Sequence, residues 1–319
     1  MKDELNNLSR RRLLGGAATI GGAAAIGGTG TMAFFSDEET FANNQLVAGE
    51  LDMKVGYSAH YSDWSADEGE GVDVNMWGGG PDTTGGPGDL TEGYTGLPTN
   101  AAWLIEVDDP DQFLDNTQTS PETADGTVPC GQAGQTDADD LPQPVVDLDD
   151  VKPGDFGEVT FDFRLCDNPG YVWLQGGLRS ASENGVTEPE SKDEDEGQGV
   201  ELLDVVNVAV WIDDGNNYQN GEESPSFVGS LRDIIAGELG NATPPGVPLS
   251  GDIPAEEGGG SGRNCFEGGE EHSVAFAWWV PVDHGNEIQT DSASFDLGFY
   301  TEQCRHNDGS GMEMGNSDS

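Results

Sequence analysis

Val159-Thr160-Phe161-Asp162-Phe163-Arg164-Leu165 alternates apolar and polar side chains without a break. Successive side chains of an extended strand point to opposite faces, so this period of two describes a strand with one buried face. The stretch sits inside a longer run, Phe156–Leu165. Further strand-like runs are Leu51–Tyr57, Ala101–Val107, Val145–Leu148, Tyr171–Leu178, Leu202–Ile212, Ser273–Val282 and Ser292–Tyr300. Val205–Ile212 and Val274–Val280 are more continuously apolar, which places them centrally and covered on both sides. Strands that follow one another without alternating helices predict an all-β fold, an antiparallel β-sandwich of jelly-roll-like arrangement. One short helix is expected from Ser226 to Leu239, because Phe227, Leu231, Ile234, Ile235 and Leu239 share a stripe and Pro225 precedes the start.

Between these runs the chain is rich in Gly, Asp, Pro and Ser, at 65–100, 115–142, 182–199 and 240–264, which read as long acidic surface insertions. The 61 acidic and 12 basic side chains give a net charge of −49. A compact domain so charged repels itself in dilute buffer, whereas molar salt shortens the Debye length to about 3 Å and removes most of that cost. An extremely halophilic, archaeal source follows. The acidity also excludes unassisted binding to nucleic acid.

Ser9-Arg10-Arg11-Arg12-Leu13-Leu14 opens the chain with a twin-arginine export signal, Arg10 and Arg11 forming the pair. Residues 13–33 are dominated by Gly and Ala, too weakly apolar for a bilayer span, so a cleaved leader is expected and no stable membrane span afterwards. Thr31-Met32-Ala33 offers small residues where a signal peptidase inspects the chain. The cut then falls between Ala33 and Phe34, and the partners at this stage are the peptidase and the export machinery. No Cys follows the apolar run to carry a lipid.

Cys130, Cys166, Cys265 and Cys304 are an even set in an exported chain, which predicts two disulfides. Cys265 precedes the run 273–282 and Cys304 follows the run 291–301. Antiparallel pairing of those runs would bring the two together at the open end of a hairpin, leaving Cys130 for Cys166. Zinc needs closer ligand pairs such as CxxC, and the sequence has none.

Asp213-Asp214-Gly215-Asn216-Asn217-Tyr218-Gln219-Asn220-Gly221-Glu222-Glu223 follows the apolar run ending at Ile212. Oxygen ligands crowded around turn-forming glycines suit calcium, with Asp213, Asp214, Asn216 and Glu222 as candidate ligands. The spacing is not that of an EF-hand. Calcium is the one cofactor the sequence suggests. Asp193-Glu194-Asp195-Glu196 reads as a solvated loop. A zincin needs two His one helical turn apart, and His60, His272, His284 and His306 are far apart in sequence. No Gly-x-Ser-x-Gly elbow is present either, so no enzyme is expected. Trp278-Trp279 places rings on opposite faces of one strand, one in the core and one under a neighbouring loop or subunit. Asn241-Ala242-Thr243 is a glycosylation sequon in an expected loop.

Three stretches carry a resemblance. They are Ala33-Phe34-Phe35-Ser36-Asp37, the segment from Phe41 to Met53 (FANNQLVAGELDM), and Val151-Lys152-Pro153-Gly154-Asp155 at the head of the alternating strand. Together they resemble the TasA/camelysin family of secreted biofilm-matrix fibre proteins, whose signal is of the SipW-dependent type. The blocks Trp278–Asp283 and Asp296–Asn307 resemble the end of its haloarchaeal members. The resemblance implies a jelly-roll subunit assembled into extracellular filaments, the freed amino-terminal segment of one copy completing the sheet of the next. The matching segment is 34–46, with Phe34, Phe35, Phe41 and Leu46 as assembly residues, and the partner is another copy of the chain, head to tail. The division implied is a leader at 1–33, a donor strand at 34–46, a sandwich domain at 47–304 and a disordered tail at 305–319. Twin arginines, four cysteines and long acidic insertions depart from the family pattern.

Physical chemistry supports such a donor strand independently. Burying Phe34, Phe35 and Phe41 contributes about 1.5–3 kcal/mol each, and an open sheet edge supplies backbone partners. A head-to-tail contact that does not close produces a filament. The alternatives are that the segment folds back on its own domain as a first strand, or that it stays disordered. Rival functions are a monomeric surface module binding calcium or carbohydrate, and a camelysin-like metallopeptidase. Amino-terminal sequencing of the exported protein is expected to read Phe-Phe-Ser-Asp from Phe34; a retained leader would make the chain a tethered protein instead.

Overall fold

A computed structural model of the chain describes residues 31–35, 52–65, 67–76, 90–100, 102–121, 124, 126, 130, 146–148, 151–166, 168–185, 188, 199–221, 223–237, 239–242, 246–285 and 287–311. In chain order the elements are β1 Thr31–Phe35, β2 Met53–Ser62, β3 Val74–Met76, β4 Thr95–Pro98, β5 Trp103–Val107, α1 Pro110–Thr117, β6 Val146–Leu148, β7 Phe156–Leu165 and β8 Gly170–Ser182. There follow α2 Leu202–Val205, β9 Asn207–Asp213, β10 Phe227–Ser230, α3 Leu231–Ile235, β11 Val247–Leu249, β12 Glu271–Trp279 and β13 Ser292–Gln303.

The strands form an all-β sandwich. One sheet has the order β11-β8-β13-β1-β6 and the other β10-β9-β12-β7-β2, while β3-β5-β4 make a small third sheet. The main core lies between the two large sheets, where Val159, Phe161, Phe163 and Leu165 of β7 meet Phe295, Leu297 and Phe299 of β13. Phe161 and Phe299 pack edge to face at 5.6 Å, a geometry aromatic quadrupoles favour.

The second sheet is covered on both faces. Along β12, Val274, Phe276 and Trp278 enter the main core. Ala275, Ala277 and Trp279 enter a second cluster with Leu97, Leu104, Ile105 and Val107 of the small sheet and Phe113 of α1. The two tryptophans therefore occupy different cores, Trp278 stacked on Tyr61 at 5.9 Å. Close approach within the small sheet depends on Gly96, because a Cβ there would lie 2.6 Å from the Trp103 ring.

Four sequence expectations change. The polar side of β7 is covered too, with Glu158, Thr160 and Asp162 all buried, because the small sheet and α1 lie over that side. The run 202–212 divides at Val206 into α2 and β9; the Leu231 N–H bonds the Val206 carbonyl there. The helix expected from Ser226 begins at Leu231, since Phe227–Ser230 pairs with β9 and Ser230 with Asp233 forms a reciprocal capping box. Residues 305–311, assigned to a disordered tail, return to the body: the His306 N–H bonds the Gly259 carbonyl and the Asn307 carbonyl accepts from the Ser261 N–H. Residues 312–319 lie outside the described residues.

Both disulfides link the expected cysteines, Cys130–Cys166 and Cys265–Cys304. The route differs from a hairpin. β12 and β13 belong to different sheets, and Cys265 instead reaches Cys304 through the segment that bridges Ile253 and Gly170, next to the Cys304 N–H bond to Pro169.

Cover on both faces makes a specific prediction. Ala277→Leu over-packs the second cluster and is expected to cost about 1–3 kcal/mol, while Phe276→Ala in the main core costs about 3–5 kcal/mol, both by urea unfolding in molar NaCl. An effect of Ala277→Leu within about 0.5 kcal/mol of zero is what a solvent-facing position would give.

Candidate functional site

β1 fills a slot between β13 and β6. It runs parallel to β13, with Met32 opposite Ser294, Ala33 opposite Phe295, Phe34 opposite Asp296 and Phe35 opposite Leu297. It runs antiparallel to β6, with Thr31 opposite Leu148, Met32 opposite Asp147 and Ala33 opposite Val146. Among the described residues β6 has no other strand partner, and the far edge of β13 is taken by β8. The β8–β13 register shifts at Ser294/Phe295, leaving Arg179 as the extra residue, and its guanidinium donates to Asp296 on the outer side. Bulges of this kind re-aim side chains beside a sheet edge.

The expected cleavage bond lies within β1. Residues 31–33 make all of the pairs to β6 and half of those to β13, whereas Phe34 and Phe35 keep only their pairs to β13. Arg10, Arg11, Phe41 and Leu46 lie outside the described residues.

A second constellation stands at the end of β9. Asp213 is 6% exposed. Its Oδ2 accepts from the N–H groups of Gly215 at 3.1 Å and Asn217 at 3.2 Å and faces the Thr160 hydroxyl at 3.4 Å. Its Oδ1 accepts from the Trp211 indole at 3.3 Å. Gly215 and Asn217 both adopt positive φ, 91° and 62°, which turns the chain back over Asp213. Glu223 closes the loop, its two oxygens each accepting an N–H at 2.9 Å, from Asp214 and Asn220. Asn220 Nδ2 donates to Asp214 at 3.0 Å.

The loop thereby brings Asp213, Asp214 and Glu223 together, with one oxygen of each within 4.8 Å of the others. Of the residues expected from sequence, Asn216 serves the turn instead, its Oδ1 accepting from the Tyr218 N–H at 3.0 Å, and Glu222 lies outside the described residues. Gln219 and Glu223 are additions. Gln219 is 2% exposed; its Nε2 donates to the Glu223 carbonyl at 2.9 Å, and its Oε1 has no donor. The alternation Asp213, Gly215, Asn217, Gln219 is the signal that could have pointed to it.

Electrostatics in this region are those of crowded acids. Burial, then the charges of Asp213 and Asp214, push Glu223 up to about 7. Burial also raises Asp213. Glu158, fully enclosed on β7, is held well above the carboxylate range by burial and by Asp213. His60 Nε2 lies 3.9 Å from it. Among the described residues two other acidic groups occur, Glu183 with Glu201 and Asp291, and the exposed Asp252 with Glu267 and Glu270; neither contains a histidine.

Asn241 is exposed and its amide donates to the Ala236 and Gly237 carbonyls at the end of α3. Among the described residues no helix is long and apolar enough to cross a membrane. The two disulfides are compatible with an extracellular location. Compared with models of known protein families and with curated protein sequences, the chain has no match.

Proposed function

We propose that the chain is a secreted structural subunit of extracellular filaments or matrix, assembled by donation of the strand 34–46 from one copy into the slot between β13 and β6 of the next. The observation that carries this reading is the position of the Ala33–Phe34 bond inside β1. Cleavage there removes every residue that pairs with β6 and leaves two of the four that pair with β13. The backbone groups of β6 and of that stretch of β13 then need partners, since unpaired strand edges recruit other strands. A neighbour's freed segment supplies a backbone ladder together with Phe34, Phe35 and Phe41. This is the mode of assembly that resemblance to the TasA/camelysin family implies.

The leader-bearing chain is closed by its own β1 in this account, and the processed chain is open. Because one copy gives a strand and accepts another elsewhere, growth is head to tail and does not terminate. The rival reading, a monomeric surface binding module, draws on the same strand: docked within its own sheet, it leaves nothing for a neighbour to complete.

Electron microscopy of the exported protein in molar salt separates the two. Long ordered fibres are expected from wild type. They are expected to disappear both in Ala33→Asp, which blocks processing and leaves β1 whole, and in Phe34→Ser/Phe35→Ser/Phe41→Ser with the domain still folded by circular dichroism. Fibres of wild-type form from the uncut chain, or from the triple variant, would exclude strand donation.

A further inference from the structure

We propose that the β9–β10 loop is a calcium site, with the carboxylates of Asp213, Asp214 and Glu223 and the side-chain carbonyl of Gln219 as its protein ligands. This inference is independent of filament assembly.

The carboxylates alone would not carry it, because solvated acidic turns are common in so acidic a chain. Gln219 supplies the second observation. Its side chain is enclosed and its amide is fixed by the Glu223 carbonyl, yet its Oε1 receives no hydrogen bond. Enclosing an amide oxygen without a partner is costly, because its hydration is lost and nothing replaces it. The Asn217 Oδ1 on the same loop is likewise without a donor. An unsatisfied carbonyl oxygen can take a cation in place of a hydrogen bond, and the three carboxylates gathered in the same loop supply the charge to hold one. A cation held by the three carboxylates and Gln219 Oε1 meets the unmatched charge and satisfies that oxygen, and among the described residues no Lys, Arg or His is paired with any of the three acids.

The loop is also pre-arranged. Glu223 is held by two backbone N–H groups, Asp213 by two more and by Trp211, and Asp214 by Asn220. These bonds fix the carboxylates' directions before any ion arrives, which lowers the ordering cost of binding. The donor set is all oxygen, charged and neutral mixed, and contains no Cys or His, which excludes the preferences of zinc and copper. Calcium accepts such an irregular shell, whereas magnesium demands near-octahedral ligands and parts with water reluctantly. Bound there, the ion ties the end of β9 to the strand that follows, β10, at the edge of the second sheet.

The exported protein, stripped with chelator and held in molar NaCl, tests the site with terbium as the probe. Trp211, bonded to Asp213, sits close enough to sensitise terbium emission. Saturable sensitised emission is expected, displaced by calcium and far less by equal magnesium, together with a calcium-dependent rise in Tm. Asp214→Asn with Glu223→Gln is expected to weaken terbium binding roughly tenfold or more and to remove the calcium response. Asp214→Asn alone, at an exposed side chain, keeps the fold and gives a smaller loss in the same direction. Absence of sensitised emission, equal displacement by magnesium, or unchanged binding in the folded single variant would overturn the assignment.

Discussion

The central strands β9, β12 and β7 of the sheet β10-β9-β12-β7-β2 are covered on both faces, and much of the structure follows from that constraint. A strand between two cores must serve both with alternate residues. β12 does so by sending Val274, Phe276 and Trp278 one way and Ala275, Ala277 and Trp279 the other. The second cluster combines Ala209, Ala275 and Ala277 with the large rings of Trp211, Trp279 and Phe113. Polar groups on the covered side cannot turn to water and most of them find protein partners, since burying them unpaired is costly. Ser273 therefore bonds Asp162 at 2.5 Å, and the Thr160 hydroxyl lies between Glu158 and Asp213. The enclosed acids near the β9 loop are a consequence of the second layer.

Much of this was legible in the sequence. Val159–Leu165 declared its strand because alternation against a large core is a strong local signal, and the continuous run Val274–Val280 declared cover on two sides. Alternation does not reveal whether the polar side is wet, so the burial of Glu158, Thr160 and Asp162 could not be read. β3 and β4 were missed because strands of three and four residues, Val74–Met76 and Thr95–Pro98, carry too little pattern within segments rich in Gly and Asp. α1 did carry a signal: Asp109 accepts from the Gln112 N–H and Pro110 stands in the first turn, the usual chemistry of a helix start. In the candidate site, spacing suggested the cluster, but which acid closes it depends on the turn made by Gly215 and Asn217.

Scarce basic residues are used as clips in so acidic a chain. Arg232 makes a bidentate contact with Asp204, at 2.6 and 2.8 Å, fastening α3 to α2. Lys152 meets Asp155 at 3.1 Å, and Tyr61 donates to the same carboxylate at 2.9 Å, at the turn that leads into β7. Arg263 lies over the Trp173 ring at 4.1 Å, and burial lowers it to about 10. In molar salt, long-range attraction is screened away and only contacts of this range retain value. Surface pairs then contribute little; those that also use apolar packing or a second hydrogen bond contribute more.

The proposed processing between Ala33 and Phe34, inside β1, would have a geometric consequence for self-repair. To refill the positions of Thr31–Phe35 with its own remaining residues, the processed chain would slide by three positions, placing Phe34 where Thr31 had been. Side chains alternate with a period of two, so an odd shift sends each to the opposite face of the sheet. A strand from another copy would not be tethered to that register and could enter in whichever one buries its aromatic side chains. A cut at that bond, as proposed, would thus both empty the slot and disfavour the parent chain as its next occupant.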